Sequence, residues 1–303
     1  VFYLPSDTEA NARLILDCLK PEKIFFVKYE FWLQILFTAS QRNTPLYLIS
    51  ALFRPDQIFF RWYGGLFRKA LACYTGIFVQ EEKSQQLLSS IGVESAVSGD
   101  TRYDRVLKNK ERARPNEVVK AFGGSRKILV VGSSWEQEEK ILFDAYPTPP
   151  DFKIIIAPHA IERTVYCPPG YRCVKYSETK NNPVSEADIL IIDNIGMLST
   201  LYAMAHIAFV GGGFRGALHN ILEAAVFGIP VLYGPDSPKQ PEAADLQAAG
   251  GGFVVTDAAA CKALITPLLQ DASRYATAAA ASQSFITSRT GATRRIAEST
   301  GLI

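Results

Sequence analysis

Short apolar runs alternate with longer amphipathic segments along the whole chain. In the first half the apolar runs lie at 24–27, 47–49 and 76–79, and helical segments are predicted at 9–19 and 31–42. The second half restarts the pattern, with apolar runs at 128–131, 153–157, 189–192, 207–210 and 231–233. Buried strands that alternate with helices indicate parallel βαβ units whose sheet is covered on both faces. We therefore predict an α/β fold with two Rossmann-like, doubly wound parallel-sheet domains.

A polar segment at 108–124 separates the two halves and is predicted to form a linker helix, and a turn at 99–104 is expected to close the first half. The chain ends in an Ala- and Ser-rich stretch that is expected to be helical, with a weak interruption at Gly291. The predicted division is an N-terminal domain at 1–124, a C-terminal domain at 125–271 and a helical segment at 272–303 that packs back towards the first domain.

A glycine-rich turn at 211–213 follows a predicted strand and precedes a predicted helix start at His219. Glycines let a ligand approach the backbone, and a helix start offers unpaired N–H groups to a phosphate. The alternative is structural: Asn220 caps the helix and Glu223 completes a capping box. The next apolar run completes a strand–helix–strand unit, and ligands of such sheets bind beyond the carboxyl ends of the strands. This favours a ligand site at the helix start, with the Glu carboxylate available to ribose hydroxyls.

Three other predicted strands of the second half also end in small or polar residues, at Ser133 and Ser134, at Pro158 and His159, and at Ile195 and Gly196. We expect these strand ends to face one crevice. The Gly-Ser-Ser turn before an acidic helix start is either a helix cap or an anion cradle. In the first half, Glu30 directly follows an apolar run, where a Glu often only stabilises the helix dipole.

The composition narrows the classes of protein. The chain has 303 residues, of which 48% are hydrophobic, and its net charge of +2 gives no argument for a nucleic-acid partner. Five cysteines without a C-x-x-C spacing argue against a disulfide framework and a zinc site and favour a reducing compartment. The three histidines argue against a metal centre. The stretch 53–69 interleaves aromatic residues with Arg and Lys, which fits either a core helix or an interface with anionic lipid headgroups.

Two tandem doubly wound domains with a glycine-rich turn and a Glu late in the second suggest a GT-B glycosyltransferase. The motifs at 29–32, 99–104, 132–139, 193–196, 211–213 and 219–223 together resemble the 3-deoxy-D-manno-octulosonic acid (Kdo) transferases, which glycosylate lipid A. The resemblance runs over nearly the whole chain and in the same order.

The resemblance implies transfer of Kdo from CMP-Kdo to a lipid A precursor at the cytoplasmic face of the bacterial inner membrane. The reaction it implies is an inverting displacement without a metal or a cofactor, by a protein in peripheral contact with the membrane. Asn220 and Glu223 would meet the nucleotide, with Glu223 on the ribose, and Glu30 would stand on the acceptor and Kdo side. The other substrate-binding residues it implies are Arg102, Ser133, Ser134, Pro158, His159, Ile195, Gly196, Gly212, Gly213 and His219.

The sequence departs from the family pattern at several positions. Family members carry an Arg between Pro158 and His159 that meets the phosphate, which leaves His159 or Arg163 as substitutes here. Arg102 stands where a Lys is common. The family's general base is a Glu in a Ser-x-Gly-Glu motif that follows a membrane anchor. We expect both the motif and the anchor to lie upstream of Val1. The first domain is then incomplete at its start, and the chain as given is expected to be a weak catalyst.

Two other functions remain open. One is a different GT-B nucleotide-sugar enzyme, such as a UDP-sugar transferase or an epimerase, which would prefer UDP to CMP. The other is a non-catalytic fragment that only binds nucleotide.

Overall fold

The structure of the protein is a computed structural model that describes residues 3–180, 183–237 and 240–303. It contains two compact units, the first formed by Val1–Asp104 with Arg289–Ile303 and the second by Arg105–Ser288. The division thus lies after Asp104 and not at residue 124. The polar segment belongs to the second unit, where Phe122 is fully buried and its ring lies 5.1 Å from the Lys153 ammonium. Of the C-terminal segment, only the part from Arg289 groups with the first unit.

The first unit contains a parallel sheet, in which the described strands have the order β1-β2-β3-β4. Its strands are β1 (Ile24–Val27), β2 (Leu46–Ala51), β3 (Gly76–Val79) and β4 (Ala96–Val97). Its helices are α1 (Glu9–Leu19), α2 (Leu33–Gln41), α3 (Gly65–Leu71) and α4 (Glu82–Ser89). Fully buried residues of β2 and α2, Leu46, Leu48 and Leu36, form the centre of its core. The strands and helices predicted from the apolar pattern are present.

Helix α5 (Thr101–Arg112) passes from one unit to the other. The prediction of a turn at 99–104 was therefore wrong beyond Asp100, because Thr101 already belongs to this helix. The predicted linker helix is two helices, α5 and α6 (Glu117–Gly123), and Asn116 caps the second by accepting from the amides of Val118 and Val119.

The second unit is built on a parallel sheet whose described strands have the order β11-β10-β9-β5-β6-β8-β7. These strands are β5 (Ile128–Ser134), β6 (Lys153–Pro158), β7 (Cys173–Lys175), β8 (Ile189–Ile191), β9 (Ile207–Val210), β10 (Val231–Tyr233) and β11 (Gly252–Val254). The helices are α7 (Glu136–Ala145), α8 (Leu198–Ala203), α9 (Leu222–Ala225), α10 (Pro241–Ala248), α11 (Ala258–Gln270) and α12 (Ala272–Thr287). From β5 the chain builds the sheet first on one side and then, from β9, on the other. The topological switch point therefore lies between β5 and β9.

The last helix, α13 (Ala292–Ser299), belongs to the first unit. The predicted interruption at Gly291 is confirmed: its φ is +97°, and its N–H donates to Asp104 Oδ1 at 2.6 Å. Arg295 adds a second link, since its guanidinium donates to the Ser98 carbonyl at 2.7 and 2.9 Å.

Two expectations from composition have different outcomes. The sequence argued against a disulfide framework, and it missed the disulfide that Cys167 and Cys173 form across a turn that brings their Cα atoms to 6.1 Å. The aromatic stretch is divided: Phe53 and Phe59 lie in the core of the first unit, whereas Trp62 is 89% exposed. In the described part of the chain, no helix combines the length and apolar character needed to cross a membrane.

Candidate functional site

The candidate site lies at the carboxyl ends of β5, β6 and β9 in the second unit. Gly211 N–H donates to the Gly132 carbonyl at 2.9 Å, which joins the end of β9 to the end of β5. On the other side, His159 N–H donates to the Ser134 carbonyl at 3.0 Å. Two of the three strand ends predicted to face one crevice, those of β5 and β6, are therefore neighbours, and the end of β9 lies beside β5 at the switch point, where α/β sheets bind their ligands.

The glycines of the 211–213 turn are required by the protein's own packing. A Cβ at Gly211 would collide with the Ser133 carbonyl, and a Cβ at Gly213 would lie 2.5 Å from the Gly234 nitrogen. Gly212 has a φ of +87°, a backbone conformation that residues with a side chain rarely adopt. Neighbouring backbone therefore explains why these positions are glycines, and the expectation that they also admit a ligand stays a prediction.

The two serines at the end of β5 point to different surroundings. Ser133 has a φ of +51° and coincides with an irregularity in the β5–β6 register. A left-handed residue other than glycine costs on the order of 1 kcal/mol and is typical of functional sites. Ser134 is buried, and its hydroxyl donates to Glu139 Oε1 at 2.6 Å. The hydroxyl of Ser134 is thus occupied by the protein, whereas Ser133 is only partly buried.

The predicted anion cradle at the start of α7 is filled by a side chain. Glu138 is fully buried and accepts from the Gly212 N–H at 2.7 Å and from the Trp135 N–H at 3.1 Å. Burial raises the pKa of this carboxyl group, although the two backbone hydrogen bonds oppose the shift. The helix-cap interpretation is therefore the correct one at this turn.

Arg163 is paired within the protein. Its Nη1 donates to Glu139 Oε2 at 3.0 Å, and its Nη2 donates to Glu139 Oε1. The side chains are only 18% and 4% exposed, and the hydrogen bond to Glu139 raises the pKa of Arg163. The interpretation of Arg163 as a substitute phosphate ligand was therefore wrong, since a buried carboxylate holds both ends of its guanidinium.

Three rings form a stack in front of the strand ends, which we call the ring stack: Trp135, His159 and His219. The Trp135 and His159 centroids are 4.5 Å apart at 24°, and those of His159 and His219 are 4.6 Å apart at 32°. Burial, with His159 nearby, lowers the pKa of His219, so this imidazole is neutral at pH 7.

Arg215 lies over the Trp135 ring of the ring stack. Its Cζ atom is 4.3 Å from the centroid of the Trp135 ring, in cation–π geometry, and its side chain is exposed. Neither Trp135 nor Arg215 was among the predicted site residues. The sequence features that predicted a site at these strand ends were the glycine-rich turn at 211–213 and the Gly-Ser-Ser turn at 132–134.

Asn220 and Glu223 are adjacent, as predicted, but in a different arrangement from a capping box. Asn220 Oδ1 accepts from the Leu222 N–H at 3.2 Å, and its Nδ2 donates to Glu223 Oε1 at 3.2 Å. Helix α9 is a single turn that ends at Ala225. The predicted helix start is therefore too short to carry an appreciable dipole, and the side chains are what this segment offers to a ligand.

Glu223 lines a small cavity of about 180 Å³ in the second unit. Gly196, another predicted site residue, lines the same cavity together with Val106, Asn109, Leu198, Ser199 and Val226. Ile195 is 83% exposed beside it. Two predicted donor-pocket positions are thus brought together.

Glu30 and Arg102 belong to the first unit. Glu30 lies beyond the end of β1, and its Oε2 accepts from the Trp32 indole N–H at 2.8 Å. Arg102 is paired with the buried Asp100, whose Oδ2 accepts from its Nη2 at 2.7 Å. Across residues 3–180, 183–237 and 240–303, no group of three or more His, Cys, Asp or Glu side chains is arranged to hold a metal ion.

The fold and the site at the strand ends define an α/β protein of the GT-B type, as the sequence predicted. The UDP-GlcNAc 2-epimerase from Neisseria meningitidis, solved with UDP-GlcNAc, matches with a TM-score of 0.65 over 97% of this chain and 80% of that one. Its sequence identity is 18%, so this likeness concerns the fold alone.

Sequence comparison points to one family. Residues 1–105 match the family described as 3-Deoxy-D-manno-octulosonic-acid transferase (kdotransferase). The chain is 26% identical over 255 residues to the 3-deoxy-D-manno-octulosonic acid transferase of Rickettsia typhi, covering 80% of this chain and 54% of that protein. It is 26% identical over 309 residues to that of Bordetella pertussis, covering 97% of this chain and 72% of that protein. The predicted resemblance is confirmed: the chain is similar to the Kdo transferases, and it spans about half the length of the Rickettsia protein.

Proposed function

We propose that the protein transfers Kdo from CMP-Kdo to a lipid A precursor in lipopolysaccharide assembly. The observation that carries the proposal is the alignment with the Bordetella pertussis transferase, which extends over 97% of the chain and so over both units. The position of Glu223 supports it, because this carboxylate lies at the carboxyl ends of the strands of the second unit, where α/β sheets bind nucleotides.

In this proposal Glu223 accepts hydrogen bonds from the ribose hydroxyls of CMP. Its Oε1 already accepts from Asn220, which fixes the carboxylate, and within the described residues Oε2 has no hydrogen-bond donor. The adjacent cavity of about 180 Å³ is smaller than the roughly 300–1,000 Å³ of ordinary ligand pockets. It therefore holds only part of the nucleotide, and the remainder lies along the strand ends.

The reaction we propose is an inverting displacement that needs no metal ion. The acceptor hydroxyl oxygen bonds to the anomeric carbon of Kdo while the bond from that carbon to the CMP phosphate oxygen breaks, and the hydroxyl proton passes to a carboxylate. We assign Glu30 to the acceptor and Kdo side, where the Trp32 indole N–H orients its carboxylate.

Calorimetric titration with CMP and with UDP tests the donor pocket. We expect the chain to prefer CMP, and Glu223→Ala to weaken CMP binding by about ten-fold or more, a loss of about 1.4 kcal/mol. Glu117→Ala is the matched control, since this Glu is 84% exposed on α6 and should not affect binding. Tighter binding of UDP would favour the epimerase or UDP-sugar alternative. Absence of nucleotide binding by a cooperatively melting chain would contradict the proposal.

We also propose that an exposed patch of the first unit makes the peripheral membrane contact. Trp62 is 89%, Tyr63 59% and Leu66 54% exposed, with Arg61 exposed beside them. Aromatic rings with cations fit the headgroup region of an anionic membrane, where each cation contributes about 1 kcal/mol. Trp62→Ala should reduce sedimentation with anionic vesicles, whereas Tyr166→Ala, a 63% exposed aromatic residue of the second unit, should not. Equal loss in both variants, or binding independent of anionic lipid, would contradict the assignment.

A further inference from the structure

Arg215 is a cation presented at the switch point. Its guanidinium lies against Trp135, and within the described residues it makes no ion pair with a carboxylate. A guanidinium is weakly hydrated, stacks well on an aromatic face and matches the geometry of phosphate oxygens. Stacking on Trp135 restricts the side chain, so less freedom is lost when an anion binds.

Backbone groups beside Arg215 suit the same kind of ligand. The N–H groups of Gly213 and Phe214 donate to no acceptor in the part of the chain that the structure describes. The left-handed Gly212 comes just before them, and successive amides after such a residue make a concavity that binds anions. An anion held there would meet backbone donors and the guanidinium together.

The neighbouring charges are compatible with an anion at this point. Glu138 and Glu139 are buried and already accept hydrogen bonds, from Gly212 and from Arg163 respectively. Asp236 lies by Gly216, 3.1 Å from where a Cβ would stand, but it forms no ion pair with Arg215 within the described residues. The Arg215 guanidinium, near the carboxyl end of β9, therefore remains available to bind an anion.

We propose that Arg215, positioned on Trp135, binds the phosphate group of the nucleotide donor. This inference rests on the proposed function, because it assumes that the site takes a nucleotide. It assigns the phosphate contact to the glycine-rich turn after β9 and not to the Pro158-His159 turn after β6, where the Arg typical of the family is missing. The consequence is that one connection of the second unit, from β9 to β10, holds both the phosphate, through Arg215, and the ribose, through Glu223 of α9.

The test compares CMP with cytidine, which lacks the phosphate. Arg215→Gln should weaken CMP binding by about ten-fold or more and leave cytidine binding unchanged, so that the preference for CMP over cytidine is lost. Arg215→Lys should recover part of the preference, since it keeps the charge without the planar fork. Arg274→Gln, at an exposed Arg of α12, is the matched control and should behave as the unaltered chain. Melting temperatures should be the same for all these variants, because Arg215 is exposed.

The outcomes separate this inference from the proposed function. CMP binding that is unchanged in Arg215→Gln, while the unaltered chain prefers CMP to cytidine, would overturn the assignment of Arg215 and leave the transferase proposal standing. An equal loss for CMP and cytidine would also overturn it, since Arg215 would then act on the shape of the loop. Failure of the unaltered chain to bind CMP would overturn both.

Discussion

Removing the guanidinium of Arg163 leaves a buried carboxylate without its partner. Glu139 is 4% exposed, and both of its oxygens are hydrogen bonded to Arg163, while Ser134 also donates to one of them. Arg163→Met keeps much of the length of the side chain and removes the charge. Breaking a buried ion pair in this way costs about 3–5 kcal/mol, because the remaining charge stays desolvated.

The assay is thermal unfolding of Arg163→Met together with the double variant Arg163→Met/Glu139→Gln. At about 2–4 °C per kcal/mol for a unit of this size, the single variant should melt roughly 6–20 °C lower. The double variant should recover much of that loss, because the amide introduced by Glu139→Gln is neutral and its oxygen can still accept from Ser134. Nucleotide affinity at a temperature where both are folded should be unchanged. A loss below about 1 kcal/mol, or intact folding with abolished CMP binding, would refute the reasoning and restore Arg163 as a donor ligand.

Two further predictions concern the strands that carry the site. Gly132→Ala places a methyl group against the buried Tyr202 hydroxyl, so it should lower the free energy of unfolding, measured in urea, by about 1–3 kcal/mol. Tyr202→Phe should relieve part of this loss in the double variant. Strictly additive losses would contradict a clash between the two groups. Burial lowers the pKa of His206, whose Nδ1 accepts from the Ile128 N–H at 3.2 Å. Below about pH 6.5 the unfolded chain therefore binds more protons than the folded chain, so the free energy of unfolding should fall as the pH falls. In His206→Asn it should fall less steeply with pH. Equal slopes in the two proteins would argue against His206 as the cause.

The regular elements could be predicted because their signals are local. The amphipathic period of 9–19 and the apolar run of 76–79 correspond to α1 and β3 with the same bounds. The unit boundary could not be predicted from polarity. A polar surface face looks the same in a linker and in a packed helix, and it is the burial of Phe122 that decides between them.

The candidate site was predicted by position, but the state of its side chains was not. The strand ends, the glycine-rich turn and the neighbourhood of Asn220 and Glu223 follow from the alternation of strands and helices. Whether Arg163 is free or paired depends on Glu139, and whether Arg215 meets Trp135 depends on β9 lying next to β5. The order of the strands in the sheet brings these distant residues together, and the periodicity of the sequence does not predict that order.

The most direct test of the account is a crystal structure of the chain grown with CMP. We expect the nucleotide beyond the carboxyl ends of β5 and β9, with its ribose hydroxyls within hydrogen-bond distance of Glu223 and its phosphate against Arg215 and the amides of Gly213 and Phe214. CMP bound elsewhere on the second unit, or strand ends that stay empty at concentrations where CMP binds in solution, would contradict it.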